Sequence, residues 1–181
     1  MDVSYKIRRH GYHLMSLASL GLTGVAVFGA LLTFMPWVPD WDPQWSGWRF
    51  GPGLEWKQLV GMHALGKQLL STSAALWTAA QLIPLLALRQ LGKQLYRNEA
   101  LSRPVADAFR WLAHSLLLYA AFSTAARLLE GMAIMVDQTR GTFSIEFDRA
   151  YLFLIACLCL YSVAHLMRLT TDAADDVRAI V

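Results

Sequence analysis

The sequence contains few charged residues and only two cysteines. Charged residues make up 16% of the 181 positions, whereas a soluble domain usually carries about 25%. Cys157 and Cys159 lie two positions apart, so on a helix their side chains point about 200° apart and do not form an intrahelical disulfide. We interpret both as small residues that face lipid or a neighbouring helix.

The sequence also lacks the motifs that usually mark enzymes. It has no phosphate-binding glycine loop, no HExxH zinc motif and no serine nucleophile elbow. Asp137, Glu146 and Asp148 fall in one predicted loop, which we interpret as a solvated loop rather than a metal site. The sequence therefore predicts a protein that is not an enzyme, with no catalytic residue, no cofactor and no metal site.

Four long stretches contain no Asp, Glu, Lys or Arg, namely 11–36, 68–88, 111–126 and 150–167. A bilayer core of about 30 Å needs roughly 20 mostly apolar helical residues. The third stretch reaches that length when it continues through Arg127 and Glu130. We predict an all-α integral membrane four-helix bundle that forms a single domain over residues 1–181. Its spans are expected at about 12–36, 59–88, 108–136 and 150–168.

Basic residues near the span ends predict the orientation, because cytoplasmic loops carry an excess of Lys and Arg. The two termini and the middle loop hold ten such residues, and the other two loops hold four. The ten are Lys6, Arg8, Arg9, Arg89, Lys93, Arg97, Arg103, Arg110, Arg168 and Arg178, and the four are Arg49, Lys57, Arg140 and Arg149. Both termini are therefore expected in the cytoplasm of a bacterium, in a multi-pass protein of the inner membrane. The net charge of +3 reflects this topology, and no basic patch suggests nucleic acid.

Tryptophan is concentrated in the loop between the first two spans. Five of the seven tryptophans lie between Met35 and Trp56, namely Trp37, Trp41, Trp45, Trp48 and Trp56. Indoles are favoured at a membrane surface, where one edge is apolar and the N–H reaches water. Aromatic residues also dominate protein-binding surfaces, and some bind sugars. We predict an extracytoplasmic loop that lies on the membrane, with a docking surface and carbohydrate binding left open.

The region around the second loop predicts a helix that continues past the membrane, a turn, and a third helix. Its sequence from Leu88 to Leu117 is LRQLGKQLYRNEALSRPVADAFRWLAHSLL. Leu88, Leu91 and Leu95 keep helical spacing among polar residues, and Ser102 before Pro104 is typical of a helix N-cap. After span four, Thr171 is expected to cap a separate short helix.

This stretch and the tail LTTDAADDVRAIV resemble the bacterial four-span membrane family catalogued as domain of unknown function 2975. The resemblance covers about half the chain and does not include the tryptophan loop. Where members of that family carry a glycine in the turn, this chain has Asn98 and Glu99. The resemblance implies four membrane-spanning helices and no particular activity.

Three charged residues fall inside the predicted spans. Arg127 and Glu130 lie three positions apart, so they share one helix face, roughly 24–29 Å from the inner end of span three. Lys67 in span two is expected at a similar depth. A charge in hydrocarbon costs roughly 2.5–3.5 kcal/mol on insertion scales unless it is paired or hydrated. We predict an interhelical cluster in which Glu130 lies between Lys67 and Arg127, either as a structural contact or as a polar cavity, ion path or partner site.

Histidines raise the alternative of haem. His13, His114 and His165 all fall toward the inner ends of their spans, and two histidines on facing helices can ligate a haem iron. No haem motif surrounds them, and histidines at span ends commonly hydrogen-bond at the interface. They remain candidate haem ligands in an alternative reading of the chain as a membrane haem b electron carrier.

Together these features predict a non-enzymatic protein that acts through protein–protein contacts in or at the membrane. Its expected partners are the lipid bilayer and a membrane protein or toxin, and a homo-oligomer is left open. One concrete version is an immunity protein that protects its own cell against a membrane-targeting bacterial toxin. A regulatory or sensor membrane protein is the other alternative, beside the electron carrier.

Overall fold

A computed structural model describes the backbone of residues 3–38, 49–50, 54–55, 59, 61–97, 102–137 and 147–180. Side chains are described for 7–38, 59, 61–97, 102–137 and 154–170. Four helices account for most of this chain: α1 Val3–Phe34, α2 Ala64–Arg97, α3 Arg103–Val136 and α4 Phe147–Ile180. A 3-10 turn, Met35–Trp37, continues α1. Two residue pairs, Arg49–Phe50 (β1) and Leu54–Glu55 (β2), lie antiparallel within the tryptophan loop.

The length and composition of the helices are those of membrane spans. Three segments are long and apolar enough to cross a bilayer: Ile7–Trp37, Ala64–Arg97 and Arg103–Val136. In the described part of α4, the apolar segment Leu154–Thr170 is shorter. The predicted all-α class is therefore confirmed, and the three helices are consistent with the predicted multi-pass membrane protein. A fourth span stays a prediction.

Hydroxyl side chains inside the helices hydrogen-bond to their own backbone. Thr33 Oγ1 donates to the Gly29 carbonyl at 2.8 Å, and Thr78 Oγ1 donates to the Ala74 carbonyl at 2.7 Å. Ser19 bonds the Met15 carbonyl in the same way at 2.8 Å. In hydrocarbon no water is present to satisfy a hydroxyl, so this i−4 bond lets Ser and Thr lie in an apolar helix.

The helices pack in the order of the sequence. Extensive contacts join α1 with α2, α2 with α3 and α3 with α4, and among the described residues no other pair of helices packs extensively. Leu14 of α1 and Met167 of α4 do reach the small cluster formed by Leu91, Val105 and Ala108 of α2 and α3. The four helices of the predicted bundle are present, and their principal interfaces are those between consecutive helices.

Glycine allows α1 and α2 to approach closely. A Cβ on Gly92 would lie 2.8 Å from the Met15 nitrogen and 2.9 Å from the Gly11 carbonyl oxygen, both backbone atoms. Further along the same interface, Thr78 fills the space beside Gly29. Small residues at such positions let membrane helices associate through van der Waals packing. Gly11, Gly21 and Gly29 thus mark the face of α1 toward α2.

The interface between α2 and α3 is fixed by two polar contacts. The hydroxyl of Ser73 donates to the Ala126 carbonyl at 2.7 Å, in a buried position. The backbone N–H of His63 donates to Asp137 Oδ1 at 3.1 Å. A cluster of Leu59, Met62, Leu70, Ala133 and Ile134 packs near the His63–Asp137 contact. The two contacts set an antiparallel register in which the start of α2 lies beside the end of α3.

Two helix boundaries differ in detail from the sequence prediction. Ser102 is the N-cap of α3, as predicted, but its side chain makes no capping bond and its carbonyl accepts from Val105 at 3.0 Å and Ala106 at 3.1 Å. Thr171 does not begin a new helix, because α4 continues through Ile180. No glycine or proline interrupts α4 there, and the Thr170 hydroxyl bonds the preceding turn, 2.9 Å from the Met167 carbonyl.

Candidate functional site

The most structured polar site lies where α3 ends beside the start of α2. Asp137 is the C-cap of α3, and its own N–H donates to the Ala133 carbonyl at 3.3 Å. Its carboxylate reaches across to α2, where Oδ1 accepts the His63 N–H. Oδ2 is buried without a hydrogen-bond partner and occupies the space that a Cβ on Gly66 would need. The Asp137 side chain, at the end of α3, therefore caps the N-terminus of α2.

This position is electrostatically favourable. The first N–H groups of a helix have no partner within it and carry a partial positive charge. α2 has no acidic residue in its first turn, so the Asp137 carboxylate supplies from α3 the negative charge that its own sequence lacks. Asp137 follows the last residue of α3, as predicted, but its side chain is half-buried against α2 rather than solvated. Glu146 and the Asp148 side chain lie outside the described residues.

The three charges predicted to form a cluster lie at the same end of the molecule as Asp137. Lys67 follows Gly66 in the first turn of α2, and Arg127 and Glu130 lie near the end of α3. All three are half-buried, and Arg127 and Glu130 lie three positions apart on one face of α3. The register of the two helices places Lys67 about 4 Å further out than Glu130, within the reach of a lysine side chain. The interhelical cluster itself stays a prediction.

His114 links α3 to α4. Its Nδ1 lies 2.8 Å from the Arg110 carbonyl oxygen, and its Nε2 lies 2.8 Å from the Tyr161 hydroxyl. The simplest assignment is that Nδ1–H donates to Arg110 and that Nε2 accepts from Tyr161. One turn away, the Cys157 thiol donates to the Ala113 carbonyl at 3.5 Å. Both ring nitrogens of His114 thus have partners within the protein.

The other candidate haem ligands are not placed around His114. His13 and His165 are exposed, on α1 and α4 respectively, and His13 stacks edge-on against the neighbouring Tyr12 ring. Across the described residues, no group of three or more His, Cys, Asp or Glu side chains is arranged to hold a metal ion. To bind a haem iron through Nε2, His114 would have to lose its hydrogen bond with the Tyr161 hydroxyl.

Of the five loop tryptophans, the structure describes Trp37. Its indole N–H donates to Ser71 Oγ at 2.8 Å, which holds the end of the 3-10 turn against α2. The ring is 48% exposed, so one face remains available to a membrane surface. Trp41, Trp45, Trp48 and Trp56 lie outside the described residues.

Sequence reasoning missed the Asp137 contact because it depends on two distant segments. Its signals are an acidic residue directly after the predicted end of span three and a glycine in the first turn of span two. Neither signal is specific in isolation, and only the register of α2 on α3 brings them together. No protein-family model, curated protein or solved structure matches this chain, so the resemblance noted for residues 88–117 stays a prediction.

Proposed function

We propose that the protein is a non-enzymatic, multi-pass protein of a bacterial inner membrane that acts by binding another membrane or membrane-active protein. The observation that carries the proposal is the surface of α1. This helix packs on α2 along its small residues and directs its large apolar side chains away from the rest of the chain. Leu20 is 75% exposed and Leu17 is 70% exposed.

The exposed surface of α1 has a regular spacing. Leu17, Leu20, Val27, Leu31 and Phe34 are all exposed, and their intervals follow a three-and-four pattern that is completed by Gly24. Nothing lies within 4 Å of a Cβ built on Gly24. This spacing forms a narrow stripe suited to packing against one more helix. Lipid covers the stripe in the absence of a partner.

The concrete version of this proposal is immunity against a membrane-targeting toxin. Such a toxin would present an apolar helix in the bilayer, and the α1 stripe would bind it before it opens the membrane. The absence of catalytic motifs in the sequence and the predominance of intramembrane surface support binding rather than chemistry. The N-terminus, the middle loop and the C-terminal tail would lie in the cytoplasm, with the tryptophan loop outside.

The test compares toxin sensitivity in cells that carry or lack the gene. The toxin is the product of any toxin gene adjacent to this gene, and the readout is membrane depolarisation measured with a potential-sensitive dye. We expect deletion to sensitise the cells and the wild-type gene to restore protection. Leu20→Ala with Leu31→Ala should fail to restore it. The matched control is Leu158→Ala with Leu166→Ala, which alters exposed leucines of α4 and should protect normally.

Unchanged sensitivity after deletion would remove the immunity version, and an adjacent small regulator gene would favour the sensor alternative. A Soret band in the purified protein that disappears in His114→Ala would favour the electron carrier instead. Immunoblots of membrane fractions must show equal amounts of each variant, so that loss of protection reports binding rather than loss of protein.

A further inference from the structure

A groove lies between the C-terminal part of α2 and the N-terminal part of α3, at the opposite end of the molecule from Asp137. Its volume is about 670 Å³, and its lining includes Leu86, Gln90 and Gln94 of α2 and Pro104, Asp107 and Trp111 of α3. No residue of the groove takes part in the protein-binding surface proposed for α1. The groove therefore requires its own explanation.

The lining changes from apolar to polar along the groove. Leu86 and the 53% exposed Trp111 lie on the side of the predicted spans. Gln90, Gln94 and Asp107 lie beyond them, toward the turn that joins the two helices. From Leu86 to Gln94 the helix rises about 12 Å, which is long enough to cross the head-group layer and enter the acyl region. The groove is thus apolar at the end toward the predicted spans and polar at the other end, as a lipid is from its acyl chains to its head group.

The charged residue of the groove lining is Asp107, and two basic residues, Lys93 and Arg97, lie near the lining on α2. Asp107 is exposed and contributes a carboxylate to the lining. Arg97 lies seven positions after Gln90 and therefore within about 20° of the same helix face, and Lys93 lies three positions after it. Both side chains are exposed. An occupant with an anionic and a cationic group would match this arrangement better than a purely anionic one.

We propose that this groove binds a phospholipid whose head group carries a primary amine, as in phosphatidylethanolamine. The ammonium group is bound by Asp107, and the phosphate is bound by Lys93 and Arg97. The Gln90 amide hydrogen-bonds to the phosphate or ester oxygens, and the acyl chains lie along Leu86 and Trp111. Basic residues beside a groove between membrane helices attract a phosphate head group, and Asp107 adds selectivity for the amine.

Native mass spectrometry of the full-length protein in detergent tests this proposal. The protein is titrated with phosphatidylethanolamine, phosphatidylglycerol and phosphatidylcholine that have identical acyl chains. We expect phosphatidylethanolamine to bind about twofold to fivefold more tightly than the other two, the range of an exposed ion pair. Phosphatidylglycerol has no cation for Asp107, and the quaternary amine of phosphatidylcholine has no N–H to donate.

Four variants separate the groups of the site. Asp107→Asn should lower the affinity for phosphatidylethanolamine to that for phosphatidylglycerol. Asp107→Glu should keep the preference for phosphatidylethanolamine. The double variant Lys93→Gln with Arg97→Gln should lower the affinity for all three lipids, because all three carry the phosphate. Arg168→Gln is the control, since this exposed residue lies on α4 and does not line the groove, so its loss should leave binding unchanged. Equal elution volumes and melting temperatures establish that the variants are folded.

Three results would overturn the proposal. One is equal binding of the three lipids by the wild-type protein, and a second is a preference that survives in Asp107→Asn. The third is capture of a polypeptide instead of lipid by a photo-crosslinking residue introduced at Trp111 in cells. Soluble glycerophosphoethanolamine is tested in parallel. Binding as tight as that of the lipid would assign the groove to a soluble phosphate ester and also exclude a lipid site.

Discussion

At the scale of single residues, several polar side chains of the described chain hydrogen-bond to other helices of the protein. Ser73 bonds a carbonyl of α3, Trp37 bonds Ser71, and Tyr161 bonds His114. Hydrogen bonds between membrane helices contribute about 0.6 kcal/mol on average. Their small individual contribution means that they fix register and orientation more than they supply stability.

Asp137 is the residue whose removal should have the largest polar effect. Asp137→Ala removes the acceptor of the His63 N–H and the negative charge at the start of α2. Loss of a helix cap costs about 0.5–2 kcal/mol, which corresponds to a decrease of a few degrees in the melting temperature in detergent. Asp137→Asn keeps an acceptor oxygen and should cost less. A melting temperature of Asp137→Ala equal to that of wild type would contradict the capping role.

At the scale of elements, α1 has two faces of opposite character. Toward α2 it presents glycine and small residues, and Gly11 and Gly92 bring the two backbones together. Away from α2 it presents bulky apolar side chains to its surroundings. The contrast predicts that a glycine at the α1–α2 interface and a glycine that faces away from it differ in their tolerance of a side chain.

Two glycine substitutions provide the comparison. Gly92→Ala would place a methyl group against backbone atoms of Met15 and Gly11, which cannot move aside without separating the helices. Overpacking of this kind typically costs about 1–3 kcal/mol, so we expect a lower melting temperature. Gly24→Ala meets open space and should leave the melting temperature equal or slightly higher, because alanine has the better helix propensity. Equal effects of the two substitutions would argue against the close approach of α1 and α2.

At the scale of the whole molecule, the described chain is a row of helices joined by consecutive interfaces. The orientation of this row in a membrane is a prediction that rests on the basic residues at the end that holds Arg89, Lys93 and Arg97. The same end carries the proposed lipid groove, and the opposite end carries Asp137 and the charged residues of α2 and α3.

Cysteine labelling tests that orientation. Cys157 and Cys159 are first replaced by alanine, and single cysteines are then introduced at Ser46 and Asn98, both outside the described residues. A membrane-impermeant maleimide should label position 46 in intact cells and position 98 only after permeabilisation. Labelling of both positions from the same side would refute the predicted topology.

The sequence predicted the helices well and the polar contacts poorly, for a physical reason. Helices in an apolar solvent are specified by long stretches without charge, and such stretches are visible in the chain without any partner. The continuation of α2 to Arg97 followed from the spacing of Leu88, Leu91 and Leu95. Contacts such as Asp137 with His63, or His114 with Tyr161, depend on the register between helices, which no local pattern encodes. Thr171 was misassigned because α4 continues through this position to Ile180, with no glycine or proline to end the helix before it.

The consecutive packing of the helices bears on how the protein forms during its synthesis. Each helix finds its principal partner in the one made immediately before it, so no helix has to wait in the bilayer for a distant segment. Loops between neighbouring helices are short compared with the chain, and contacts that are near in sequence form fastest. Each pair of consecutive helices can pack as it leaves the insertion machinery. The α1–α2 pair then offers a surface on which α3 packs, and α3 one on which α4 packs.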